Sequence, residues 1–163
     1  DGRMAHLMRF SDFDAWLTAQ SRSITVEVEV KAPGLAGPIL ELLSRSPNTG
    51  SYILFSGDPV YVEEMQAAVR KNGKPTGLRM GANMRRLTEE AKRMIPNMDL
   101  FEVGLNADAF TCEDVCWLGE HGIHVFSNLG DYPDWWEKMV TRGVLGFKTN
   151  YAAAYTNWWN SRR

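Results

Sequence analysis

The segment Ile24 to Lys31, ITVEVEVK, carries the most chemically suggestive pattern in the chain. Apolar and polar residues alternate, the period of a strand whose side chains point to opposite faces. Ile24, Val26, Val28 and Val30 share one face, and Thr25, Glu27, Glu29 and Lys31 share the other. A central strand of an open α/β sheet is apolar on both faces, so this polar face needs a use. At a sheet edge it meets water. Inside a barrel it faces the interior, where polar groups near strand C-termini build active sites. Glu29 and Lys31 stand at that end. A carboxylate there suits a hard divalent cation, and an ammonium suits a phosphate.

Other reactive residue types offer less. His6 sits in an irregular stretch, His121 ends a helix, and His124 begins a strand at the end away from Glu29. None is expected to be catalytic. Cys112 and Cys116 fall on one face of a helix and read as small buried residues. A disulfide along one helical turn is geometrically poor, and a metal site needs more ligands than the neighbouring His121. Neither a Gly-x-Gly-x-x-Gly turn nor a Walker pattern occurs, which weighs against a nucleotide-binding domain.

The elements that must hold Glu29 and Lys31 in place alternate along the chain. Strands are expected at Ile24 to Lys31, Ser51 to Ser56, Gly77 to Met80, Leu100 to Leu105, Ile123 to Ser127 and Val144 to Thr149. Helices are expected at Ser11 to Ala19, Gly37 to Ser44, Pro59 to Lys71, Met84 to Met94, a short one capped by Thr111, Pro133 to Thr141 and Tyr151 to Trp159. Ser11 reads as an N-cap with Asp12 and Asp14 in the first turn. Asp58 followed by Pro59 is a strong start signal. Strands recur roughly every 25 residues, the length of one strand–helix unit. Such alternation implies a parallel sheet covered by helices. A doubly wound open sheet and part of an eight-stranded barrel both satisfy it.

The chain has 163 residues, the size of one domain. With 44% hydrophobic and 23% charged residues it is neither disordered nor fibrous. A net charge of -2 argues against a general nucleic-acid binder. No apolar run approaches the ~20 residues of a membrane helix. Asp1-Gly2-Arg3-Met4 opens no secretory leader. The chain does not open on Met, which is consistent with an N-terminus removed or lost, and the compartment is left open.

The Glu29-Val30-Lys31 end of the first strand resembles the Glu-x-Lys strand of the glycerophosphodiester phosphodiesterase family. Leu54-Phe55-Ser56-Gly57-Asp58-Pro59 is similar to that family's strand ending in Ser-Phe-Asp-Pro. Gly122-Ile123-His124-Val125-Phe126-Ser127-Asn128 resembles its Gly-Val-x-Val-Trp-x-Asn strand. Gly143-Val144-Leu145-Gly146-Phe147-Lys148-Thr149-Asn150 resembles its closing Gly-Val-Asp-Gly-Ile-x-Thr-Asp. The segments come in the family's order and cover nearly the whole chain. The resemblance implies a (β/α)₈ TIM-type barrel, with residues 1–163 forming one partial domain that spans strands three to eight. A full barrel needs about 200 residues or more.

The implied activity is metal-dependent hydrolysis of a glycerophosphodiester to glycerol 3-phosphate and an alcohol. A Ca²⁺ or Mg²⁺ ion would polarise the phosphoryl group, and two histidines would move the protons. On this resemblance Glu29 is a metal ligand and Lys31 a phosphate contact. Phe126 is a wall of the glycerol pocket, and Ser56 and Asn128 line the same rim. The family's His-Arg-Gly, Glu-x-Asp and His-Asp segments are missing. Gly57 stands for an aromatic, Phe126 for Trp, Leu145 and Asn150 for Asp, and Ala152 for Pro. The isolated chain is therefore expected to be inactive. The alternative is a non-catalytic module of the same fold that binds phosphodiesters. Trp135, Trp136, Trp158 and Trp159, with Tyr132, Tyr151 and Tyr155, crowd the C-terminal part. They are expected to cover the outer seam of the barrel. The competing reading is a docking face for a second copy, a complementing chain or a membrane surface.

Overall fold

The computed structural model of the chain describes residues 7–128 and 130–162; His6 lies outside them. Six strands form one parallel sheet in sequential order: β1 Val26–Glu29, β2 Tyr52–Ser56, β3 Arg79–Arg85, β4 Glu102–Asn106, β5 His124–Asn128 and β6 Gly146–Phe147. The helices between and around them are α1 Phe10–Thr18, α2 Ala36–Ser44, α3 Pro59–Asn72, α4 Glu89–Met94, α5 Cys112–Glu120, α6 Pro133–Thr141 and α7 Ala152–Asn160. The sheet curls into a partial TIM-type barrel.

The curl shows in the register. Glu29, the last residue of β1, lies level with Phe55, Gly81, Glu102 and His124, and the last two are the first residues of their strands. The register steps between β2 and β3, between β3 and β4 and between β5 and β6, as a closing barrel requires, while β1 with β2 and β4 with β5 start level. Among the described residues β1 pairs only with β2, and β6 only with β5, so the curl stops with a seam between β1 and β6.

Alternation divides the side chains between two layers. Val30, Tyr52, Leu54, Met80, Ala82, Val103, Leu105 and Val125 are buried under the helices, against Leu40, Leu43, Val62, Met65, Ile95, Leu118 and Met139. This layer holds most of the hydrophobic core. The concave face is polar and sized in alternation. A Cβ on Gly81 would lie 2.8 Å from Cγ of Glu102, and one on Gly146 would lie 2.7 Å from the Phe126 ring. Large inward side chains therefore sit over glycines of the neighbouring strand.

Several caps match expectation. The Asp58 carboxylate accepts from the Val60 amide ahead of α3. Thr111 and Asp114 form a reciprocal capping box on α5. Other expectations need correction. α1 begins at Phe10 with Arg9 at the cap position, so Ser11 lies inside the first turn. The stretch expected as a helix from Met84 is still strand through Arg85, and α4 starts only after the Thr88 cap, whose hydroxyl accepts from Ala91 N. A bulge explains the difference. The register slips between Asn83 and Arg85, and Arg85 takes φ 59°, which blocks helix entry there. Cys112 and Cys116 are exposed rather than buried, because α5 turns Leu118 to the core.

The C-terminal rings pack largely on one another. Trp136 is buried, and the rings of Tyr155 and Trp158 lie 5.5 and 5.6 Å from it. Phe147 meets Tyr155 edge-on at 4.7 Å. The cluster joins β6, α6 and α7, which leaves Tyr132 and Tyr151 as its exposed rings. Among the described residues no helix is long and apolar enough to cross a membrane.

Candidate functional site

The strand C-termini carry a polar rim. At the end of β1, the Lys31 ammonium lies 2.9 Å from Oε2 of Glu29. Lys31 is largely exposed, while the Glu29 carboxylate is one-third exposed. Beside them Gly57 leaves a gap. A Cβ there would meet Oε1 of Glu29 at 3.9 Å and Cβ of Asn83 at 3.8 Å. The rim continues through three carboxamides. Asn128 Nδ2 donates to Oδ1 of Asn83 at 2.9 Å and to Oδ1 of Asn106 at 3.3 Å. The bulge after Asn83 bends β3 just where this side chain joins the rim.

Below the rim runs a cleft of about 810 Å³ along the seam, lined by Glu27, Glu29, Phe55, Lys148, Thr149 and Tyr155 among others. Lys148 follows β6 and reaches across to Glu27, with Nζ 2.8 Å from Oε2, passing 4.3 Å over the Phe55 ring. This ion pair links the two edges that share no strand hydrogen bonds. Deeper still, Glu102 is only 4% exposed, and its Oε2 has no partner. Burial pushes its carboxyl up to about 7 and the Glu27 charge adds to that, against the pull of Lys148 and Arg79.

The expected residues divide. Glu29, Lys31 and Asn128 stand on the rim. Phe126 shares a strand face with Asn128, half-buried, its ring closed over Gly146. Ser56 does not line the rim. It is buried in the helix-facing layer, where its hydroxyl donates to Val30 O at 2.7 Å and accepts from Asp58 N at 3.2 Å. Asn83, Asn106 and Lys148 were not picked out from the sequence. For Asn106 the signal was present, since Leu105-Asn106 ends its strand as Ser127-Asn128 ends the next. Asn83 was hidden by reading its segment as the approach to a helix.

His121 and His124 lie away from the rim. The His121 ring stacks on Trp117 at 4.1 Å, with Nδ1 2.8 Å from the Trp117 carbonyl oxygen. His124 packs on Phe101 at the opposite strand end. Among the described residues no three His, Cys, Asp or Glu side chains gather as a cation site. A Ca²⁺ or Mg²⁺ ion takes six or more oxygens, and Glu29 brings one carboxylate already paired to an ammonium. These residues alone do not make the expected metal centre. What the described rim offers an oxyanion is carboxamide donors and exposed cations, the Lys31 ammonium at the end of β1 among them.

Comparison with known proteins gives the fold a context. No family model matches the chain, and no curated protein sequence does. Solved structures match closely in shape. A Galdieria sulphuraria protein assigned to the glycerophosphodiester phosphodiesterases superposes at TM-score 0.73 with 15% identity, over 90% of this chain and 61% of its own. An Agrobacterium tumefaciens protein assigned to the same activity gives TM-score 0.65 and 13% identity, over 96% of this chain and 66% of its own. The fold is that of the glycerophosphodiester phosphodiesterase barrels. The EAL domain of Xanthomonas citri FimX, in complex with c-diGMP, shares it at TM-score 0.64 and 12% identity, over 82% of this chain and 60% of its own. The chain spans about 60% of the Galdieria and Xanthomonas barrels it matches.

Proposed function

We propose that the chain forms the phosphodiester-binding part of a TIM-type barrel. A glycerophosphodiester sits on its C-terminal rim, with Lys31 on the phosphate and Phe126 and Asn128 on the glycerol side. The observation that carries this is the Glu29–Lys31 pair at the end of β1, beside an open cleft. The FimX domain supports it, since c-diGMP is itself a phosphodiester and is held by the same fold.

Taken alone, the 163 residues bind without hydrolysing. Cleavage needs a positioned acid and base, and the two described histidines are engaged elsewhere. In a complete barrel the same rim serves hydrolysis to glycerol 3-phosphate. A cation on Glu29 would then require carboxylates from strands that fill the seam between β1 and β6. We assign that seam to a complementing pair of strands.

Calorimetric titration with glycerophosphocholine tests the binding role. Lys31→Ala removes a charge-assisted hydrogen bond and weakens binding about tenfold or more. Lys71→Ala, on the exposed side of α3, leaves it unchanged. Equal affinity in wild type and Lys31→Ala would sink the assignment.

A further inference from the structure

We propose that the rim carries a second site, for a neutral polyhydroxylated ring such as a monosaccharide or cyclitol, between the β4–α5 loop and the start of α6. The site borders the phosphodiester reading at Asn128, which lines both, and does not use Lys31.

A cleft of about 450 Å³ opens there, within the range of small-ligand pockets. Its walls are aromatic and its edges are amide and carboxylate. Tyr132 caps α6 without a side-chain cap bond and is 67% exposed. It packs on no other ring among the described residues. Trp135, one turn on, is half-buried, with the Lys138 ammonium 5.5 Å from its ring centre. Both rings line the cleft. Tyrosine and tryptophan are enriched at binding surfaces, where one end of the ring is apolar and the other wet.

The polar edge suits hydroxyls. A turn after β4, closed by Ala109 N donating to Asn106 O at 2.9 Å, presents Asp108. Asp108 has no partner among the described residues. Asn106 and Asn128 line the same cleft and share one hydrogen bond, on Asn106 Oδ1, and Asn106 Nδ2 has no partner among the described residues. Asp131 completes the wall. It is already occupied by Thr149 Oγ1 and by both the backbone and side-chain nitrogens of Asn150, which fixes the loop behind it.

A sugar or cyclitol ring combines what this cleft asks for. Its C–H face is apolar and packs on an aromatic ring. Its hydroxyls donate to a carboxylate, and they both accept from and donate to carboxamides. Charge then narrows the class. Two carboxylates and no cation line the cleft, so a phosphate or carboxylate ligand would be repelled and a neutral one preferred.

Tryptophan fluorescence titration of the 163-residue chain tests the site, with myo-inositol and methyl glucoside as neutral probes and glycerol 3-phosphate as the anionic one. At least one neutral probe is expected to saturate. Asp108→Ala and Tyr132→Ala, both exposed, each weaken it about tenfold, with an unchanged circular dichroism spectrum. Lys31→Ala leaves it intact. Failure of both neutral probes to saturate overturns the site. So does binding that survives both variants, or saturation by glycerol 3-phosphate alone.

Discussion

Glu102→Gln raises the stability of the fold at pH 8 by up to about 3 kcal/mol and barely changes it at pH 4. Glu102 is 4% exposed, with one carboxyl oxygen unpartnered. Burial first, and then the Glu27 charge, lifts its folded pKa from 4.5 to about 7. Below 4.5 both the folded and the unfolded chain hold the proton, and the group contributes nothing pH-dependent. Between 4.5 and about 7 the unfolded chain releases it while the folded chain keeps it, so stability falls as pH rises. Above that window the full deficit is present. Glutamine keeps the shape without the charge, so its urea-unfolding curve stays flat across the window. Parallel pH profiles for wild type and Glu102→Gln would remove Glu102 as the source.

Asp14→Ala produces the largest loss, about 3 kcal/mol or more. Asp14 lies in α1 and gathers the loop before β2. Its Oδ1 accepts from Ser46 Oγ at 2.7 Å, Asn48 Nδ2 at 2.8 Å and the hydroxyl of Tyr52 at 2.7 Å. Tyr52 is fully buried, and alanine strands its hydroxyl together with that of Ser46, while Asn48 Nδ2 keeps the residue-14 carbonyl and Thr18 Oγ1 as acceptors. Buried donors without acceptors cost about 1–3 kcal/mol each. Burial works against the Asp14 charge, but the bonds from Asn48, Ser46 and Tyr52 outweigh it and hold the carboxyl below 3.8. Its stabilisation is therefore complete above 3.8 and is lost as pH falls through the lowered folded value. That window lies below the one set by Glu102, so acid titrations of the two variants separate them. An Asp14→Ala protein that melts like wild type would show the Tyr52 and Ser46 hydroxyls satisfied by water.

The repeating strand–helix units were legible because β1, β2 and β5 carry β-branched or aromatic residues and Gly, Pro or Asn turns punctuate the chain between elements. Caps such as Asp58-Pro59 and Thr111 were legible because capping is local. The polar alternation of β1 led to the rim, since a face carrying Glu27 and Glu29 had to meet water or an interior. The far end of β3 was hidden, because a bulge and a positive φ at Arg85 leave no mark in residue pattern. Ser56 was misplaced by a single residue of phase, enough in a strand to exchange the rim for the helix-facing layer. The Asp14 hub and the Lys148–Glu27 link join residues distant in sequence, and only the curl of the sheet and the path of α1 bring them together.

The most direct test of the account is a phosphorus NMR titration of glycerophosphocholine with the 163-residue chain. A saturable shift of the diester resonance is expected, moved by Lys31→Ala to about tenfold or more higher protein concentration, with no glycerol 3-phosphate signal growing in over time. A diester resonance that stays fixed would contradict the rim as a phosphodiester site. A growing monoester signal would contradict binding without turnover, and would show that this chain contains proton-transfer groups of its own.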